Sequence, residues 1–182
     1  MTVGTVIDDQ HVTAAQAAKL GGMDFNVRLE QVAHRDETEV GAWNVDPDRF
    51  AVVATDNGTV FDYVSNEYTP VQYSEAFDFM DKVDPRYIAA GTLRDRKQGF
   101  MVVQAPEMPS MDLELLGETD PHELYAILRT SHDRSRGLEV AIMTLRGRCM
   151  NQLTMPTFAQ NAPQRWSIRH VGNPQEKLHD AQ

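Results

Sequence analysis

Phe50-Ala51-Val52-Val53-Ala54-Thr55-Asp56-Asn57-Gly58-Thr59-Val60-Phe61-Asp62-Tyr63-Val64 holds two β-rich runs on either side of a short polar break. Valine, phenylalanine and tyrosine suit a pleated, half-buried surface. Asn57-Gly58 supplies the positive φ that a tight hairpin turn requires. The pattern predicts strands over 50–55 and 59–64 joined at Asp56-Asn57-Gly58, and such a hairpin makes the sheet antiparallel. A second hairpin, 87–93 with 100–104, is closed by the charged tip Arg94-Asp95-Arg96-Lys97-Gln98-Gly99.

Working upstream, Phe25, Val27 and Leu29 alternate with Asn26, Arg28 and Glu30, the period of a half-buried strand. The phase breaks at Gln31-Val32, where a bulge or the strand end is expected. Residues 34–48 are polar and acidic and read as a loop with Trp43 anchoring it in the core. Residues 13–20 form a short Ala-rich helix, capped by Thr13 and stopped by Gly21-Gly22. Downstream, Tyr73, Ala76, Phe77, Met80 and Val83 fall three or four apart. That spacing predicts one amphipathic helix of about three turns, with Ser74 as N-cap and Asp84-Pro85 as its stop.

Residues 105–121 are a proline-containing connector with room for one strand. Residues 124–130 and 138–145 read as paired strands around the loop 131–137. A short helix over 150–160 and a last strand over 166–171 complete the chain. The expected architecture is α+β: a mostly antiparallel sheet of seven or eight strands built from hairpins, one main amphipathic helix and short edge helices. Residues 1–21 are an N-terminal tail with a short helix, 22–173 a single domain, and 174–182 a polar tail.

At 182 residues, the chain suits one domain that buries roughly 70% of its unfolded surface. The single cysteine, Cys149, excludes an internal disulfide framework and fits a reducing compartment. Asp8 and Asp9 stand where a secretion signal needs cations, and no apolar run has the length of a membrane span. The expectation is a cytoplasmic protein without a membrane partner.

The formal charge of −10 is unevenly spread. Residues 1–90 carry 16 acids against 6 Lys or Arg, whereas residues 91–182 balance at 11 and 11. Between Arg129 and Arg169, seven Arg face only Asp133 and Glu139. Either these Arg pair with acids of the first half, or they build a site for phosphate or carboxylate, which guanidinium groups bind bidentately.

Three blocks concentrate polar chemistry: Ser131-His132-Asp133-Arg134-Ser135, Arg146-Gly147-Arg148-Cys149-Met150-Asn151 and Ser167-Ile168-Arg169-His170. The candidate ligand-binding set is Arg129, His132, Asp133, Arg134, Arg136, Arg146, Arg148, Asn151, Arg169 and His170. Trp166, Tyr125 or Tyr68 would stack on bases beside it. His132-Asp133 reads as a general base or metal ligand, or as a turn in which Ser131 and Asp133 side chains cap backbone amides. Cys149 reads as a structural thiol or as a nucleophile activated by neighbouring cations. No metal-ligand spacing, phosphate loop or dinucleotide fingerprint is present. No metal or cofactor is therefore expected. A His-Asp pair without an activated attacker and an electrophile-stabilising group leaves no catalytic residue to name.

Tyr68-Thr69-Pro70-Val71-Gln72, then Gly91-Thr92-Leu93-Arg94, then the three blocks occur in this order in one family. The chain resembles the phage/plasmid-like proteins grouped as a domain of unknown function (DUF932), over about residues 22–173. Two departures stand out: Arg134 occupies a position where the family tends to have Gly, and Tyr73 one where it tends to have Asn. Many members continue into a helical region after the last strand, so with the chain stopping at Gln182 that contribution is expected to be absent or reduced. The resemblance implies an accessory role in phages, prophages or plasmids and carries no assigned reaction. Single-stranded intermediates of replication or recombination are the expected ligand, through the Arg-rich face. The alternative is a non-enzymatic protein that binds a host factor and modulates host metabolism or defence. A homo-oligomer is compatible with either.

Overall fold

The computed structural model describes residues 4–7, 12–104, 111–115, 118–146 and 164–168. Its elements in chain order are β1 (Thr5–Val6), α1 (Ala14–Leu20), β2 (Val27–Arg35), β3 (Trp43–Ala54), β4 (Val60–Ser65) and α2 (Tyr73–Phe77). A 3-10 helix (Asp78–Val83) follows, then β5 (Arg86–Leu93), β6 (Gln98–Gln104), β7 (Met111–Leu115), β8 (Glu118–Ser131), β9 (Leu138–Arg146) and β10 (Gln164–Ile168). The α+β class holds, with every strand pair antiparallel.

The strands divide between two sheets rather than one. The larger runs β1-β5-β6-β8-β9-β10 with β7 also on β8; the smaller is β2-β3-β4. One core joins them: Phe25, Val27, Val52 and Phe61 of the small-sheet side meet Tyr87, Met101, Val103 and Leu128 of the large sheet. Strand alternation sends Phe100 and Val102 to the opposite face of β6, where they pack with Ala89 and Ile127.

The Asn57-Gly58 turn forms where expected. Gly58 adopts φ +73, and the Asn57 carboxamide oxygen accepts the Thr59 N–H at 3.0 Å. Helix α1 begins at the predicted Thr13, whose hydroxyl and the Gln16 side chain make a reciprocal capping box. Its residues Ala14, Ala17 and Ala18 are buried, so a segment read as tail is docked on the body. Gly21 has a packing reason: a Cβ there would lie 2.8 Å from the Ala90 backbone. Gly91 has another, because its Cβ would approach the Gly4 Cα to 2.5 Å.

The main helix departs from expectation. Only 73–77 is α-helical, and the chain then tightens into 3-10 geometry. The cap is Gln72 instead of Ser74. Gln72 does a second job: its side-chain amide accepts from Val27 N–H at 2.8 Å and donates to Val27 C=O at 3.0 Å. A single side chain thus stands in for the next strand beside the start of β2.

The loop expected over 34–48 is confined to 36–42. Strands β2 and β3 continue as a two-stranded arm, Arg35 opposite Trp43 and Ala33 opposite Val45. The register slips between Gln31 and Ala33, where the sequence phase breaks. Trp43 is 65% exposed instead of anchored, because the arm runs on beyond Leu29 and Phe50, the last residues of these strands that pack against the core. The expected helix over 150–160 lies outside the described residues.

Candidate functional site

The β8–β9 connection is a self-bonded turn. Ser131 Oγ accepts the Arg136 N–H at 2.9 Å and donates to the Arg136 carbonyl at 3.0 Å. The Asp133 carboxylate accepts the Ser135 N–H at 3.0 Å and also the Ser135 hydroxyl. Gln98 Nε2 donates to Ser135 Oγ at 2.7 Å, fastening the turn to β6. Ser131 and Asp133 therefore bind the loop's own backbone. Arg134 takes a left-handed φ of 56, and its Nε donates to Asp62 at 2.6 Å. That hydrogen bond holds the Arg134 guanidinium above its ordinary pKa.

His132 joins this turn to the β5–β6 tip. Its backbone N–H donates to the Lys97 carbonyl at 2.8 Å. Its ring is fully buried, 4.2 Å from Tyr73 centre to centre, stacked on Phe61 at 6.0 Å and edge-on to Phe25. Tyr73 in turn donates its hydroxyl to the Arg96 carbonyl at 2.9 Å. The Arg96 guanidinium lies 3.8 Å over the Phe25 ring and pairs with Asp56 at 2.7 Å. These contacts hold Arg94, Asp95 and Arg96 in three successive positive-φ conformations. Burial, followed by the neighbouring Asp133 charge, pushes the Tyr68 and Tyr73 hydroxyls well above the usual phenol range.

Two of the predicted ligand-binding arginines share one carboxylate. Arg129 on β8 faces Glu139 on β9, with Nη2 3.2 Å from Oε2, and both side chains are only 6% exposed. Arg136 Nη1 reaches the same oxygen at 3.0 Å. Burying charge is costly unless it is paired, and Glu139 serves two guanidinium groups at once. The expectation that these arginines pair with acids of the first half holds for Arg134 with Asp62. Arg129 and Arg136 use an acid of their own hairpin.

The described residues of the three blocks do not all converge. In an antiparallel hairpin each step from the turn carries both strands away from it. Arg146 therefore lies opposite His122, seven residues beyond the Arg129–Glu139 pair, about 24 Å along the strand. Ile168, by contrast, lies opposite Leu138 at the turn end. Gln98 opposite Ser131 brings the β5–β6 tip to that same end. The tip, the 131–137 turn and the end of β10 thus share one edge, and the start of the second block lies at the other. Arg148, Cys149, Asn151, Arg169 and His170 lie outside the described residues.

The shared edge exposes Arg94 and Arg134, with Lys97 half-buried between the two loops. Among the described residues no ion pair holds Arg94 or Lys97. Trp166, two pairs from the end of β10, is 55% exposed. An open cleft of about 600 Å³ adjoins the tip, between Gly4, Leu20, Gly22, Leu93 and Arg94. The tip was read from sequence only as a hairpin closure; its four consecutive charged residues were the signal that it belonged to the candidate surface. Among the described residues, no group of three or more His, Cys, Asp or Glu is placed to share a metal ion. No described helix is long and apolar enough to cross a membrane.

No curated protein and no solved structure matches the chain. The family model described as Domain of unknown function (DUF932) matches residues 60–182, which takes in the β3–β4 turn partner, the Gln72 clamp, the charged tip and all three polar blocks. The chain belongs to the DUF932 family.

Proposed function

We propose that the chain is a non-catalytic accessory protein of a phage, prophage or plasmid that binds single-stranded nucleic acid along the shared sheet edge. The observation that carries this reading is the His132 N–H to Lys97 carbonyl bond, which brings two cationic loops to one place. Arg94, Lys97 and Arg134 would contact phosphates, and Trp166 offers a face on which a base can stack. The Arg134–Asp62 pair is no obstacle: with the arginine 55% exposed, such a pair contributes about 0–1 kcal/mol and can be exchanged for a phosphate. Buried Arg129 and Arg136 are not exchangeable in this way and are assigned to the scaffold. The net charge of −10 opposes approach at long range, but local potential governs contact.

The test is fluorescence anisotropy of a labelled single-stranded oligonucleotide across a salt series. Affinity should fall with salt at a log–log slope of about −0.7 per phosphate neutralised. Lys97→Ala combined with Arg134→Ala should flatten that slope without lowering Tm by more than a few degrees. No binding at low salt would discard this reading in favour of a host-protein partner.

A further inference from the structure

Among the described residues, no strand pairs with the outer side of β2 along the β2–β3 arm. Val27 bonds Gln72 on the side away from β3, whereas the Asp36 N–H bonds the Ala42 carbonyl on the side towards it. Amide direction alternates along a strand, so Leu29, Gln31, Ala33 and Arg35 present N–H and C=O outward. Among the described residues, Gln72 closes that edge at Val27. Beyond it runs a long, exposed edge without lysine or proline, guarded only by Arg28, Glu30, Arg35 and the slip between Gln31 and Ala33.

The arm also carries an apolar face beneath which no described residue packs. Residues opposite each other share a face, so Trp43 (opposite Arg35) and Val45 (opposite Ala33) continue the face on which Val27 and Leu29 meet the core. On the arm they are 65% and 53% exposed.

We propose that β2 pairs antiparallel with β2 of a second copy of this chain, with Val32 on the two-fold axis, giving a continuous six-stranded sheet. The outward amides require odd residues to face odd residues, which leaves few registers. With Val32 on the axis, Arg28 of one copy faces Asp36 of the other, Glu30 faces His34, and Gln31 and Ala33 exchange backbone hydrogen bonds. Moving the axis to Gln31 sets Arg28 against His34. Moving it to Ala33 sets Glu30 against Asp36, two like charges. Of these three registers, the one centred on Val32 sets opposite charges against each other and pairs the most of the β2 edge that Gln72 leaves open, as an isologous interface requires. The two-fold axis is perpendicular to the sheet, so both bodies lie on the same side. Arg35 of each arm then lies beside the other copy's Leu29, which carries the arm's apolar face towards that copy's body. This inference is independent of the nucleic-acid reading.

Sedimentation equilibrium of the full chain should return twice 20.5 kDa. Gln31→Pro removes one outward N–H and none that β2 gives to β3, so it should return a single chain with an unchanged circular dichroism spectrum. In a Cys149→Ser background, Val32→Cys should cross-link to a covalent dimer on mild oxidation. Val32 would form a non-hydrogen-bonded pair with itself, at a Cα separation of about 4.5 Å that suits a disulfide. A single-chain mass for the unmodified protein at micromolar concentration would overturn the proposal. So would a dimer in which Val32→Cys fails to cross-link. If Gln31→Pro does not fold, the cross-link alone decides; if it folds and stays dimeric, the interface lies elsewhere and the proposal fails.

Discussion

Arg134 sits where an L-residue is strained. Its φ of 56 costs roughly 1–2 kcal/mol relative to glycine. The exposed ion pair to Asp62 returns about 0–1 kcal/mol. Arg134→Gly should therefore leave stability unchanged or raise it by about 1 kcal/mol, a Tm gain of about 2–4 °C in a chain this size. Oligonucleotide affinity should fall in the same variant; lower Tm would show the guanidinium to be structural. His132 is the opposite case. Its ring fills the gap between Phe25, Phe61 and Tyr73, and its N–H carries the tie to the tip. Truncating a buried ring typically costs about 3 kcal/mol, so His132→Ala should lower Tm by about 10 °C in a thermal melt. A change of only a degree or two would mean that the aromatic cluster does not depend on this ring.

At the scale of elements, the β8–β9 hairpin carries the largest electrostatic commitment. Glu139 receives both Arg129 and Arg136 in surroundings that water barely reaches. Glu139→Gln keeps the shape but leaves two guanidinium groups facing a neutral amide. Removing one partner of a buried pair costs about 3–5 kcal/mol. Denaturant unfolding should show a free energy lowered by that amount, read as a lower midpoint with the slope unchanged. A shift below about 1 kcal/mol would mean that solvent screens the triad. The arm obeys different rules. Its tip is organised by Asp36, whose carboxylate accepts from Thr38 N–H at 2.8 Å and from Asn44. The Thr38 hydroxyl and N–H and the Asn44 amide together lower its pKa to about 2. A depressed acid supports structure above its unfolded value and loses that support as pH falls through its folded one. Thr38 amide protection in hydrogen exchange should thus persist at about pH 5 and fade as pH drops from about 4 towards 2.

For the whole molecule, three buried phenols set the alkaline limit. Burial raises the Tyr68, Tyr73 and Tyr87 hydroxyls, with the Asp133 charge adding to the first two and the 2.6 Å bond to Asp81 to the third. The folded values lie above the unfolded value of about 10, so the unfolded chain ionises first. Their contribution is complete below about pH 10 and is lost as pH rises beyond it. Tyrosinate absorbance should lag behind that expected for free tyrosine and then rise together with loss of circular dichroism. A smooth titration of all five tyrosines without unfolding would contradict the burial of these three.

Sequence alone decided the local features. The Asn57-Gly58 turn, the Thr13 cap, the slip at Gln31-Val32 and the antiparallel class each depend on chirality, capping or period over a few residues. It also marked the turn formed by Ser131 and Asp133, since such side chains bond nearest-neighbour amides. Tertiary structure decided what each face meets. Trp43 is as apolar as any core residue, yet its arm outreaches the body and leaves it in solvent. Arg129 and Arg136 looked like a phosphate site until strand register set Glu139 against them. His132 entered the core because Phe25, Phe61 and Tyr73, far apart in sequence, converge there. Arg146 left the candidate edge because a hairpin carries its second strand away from the turn. Burial and ion pairing depend on which distant surfaces meet, and no short stretch of chain contains that information.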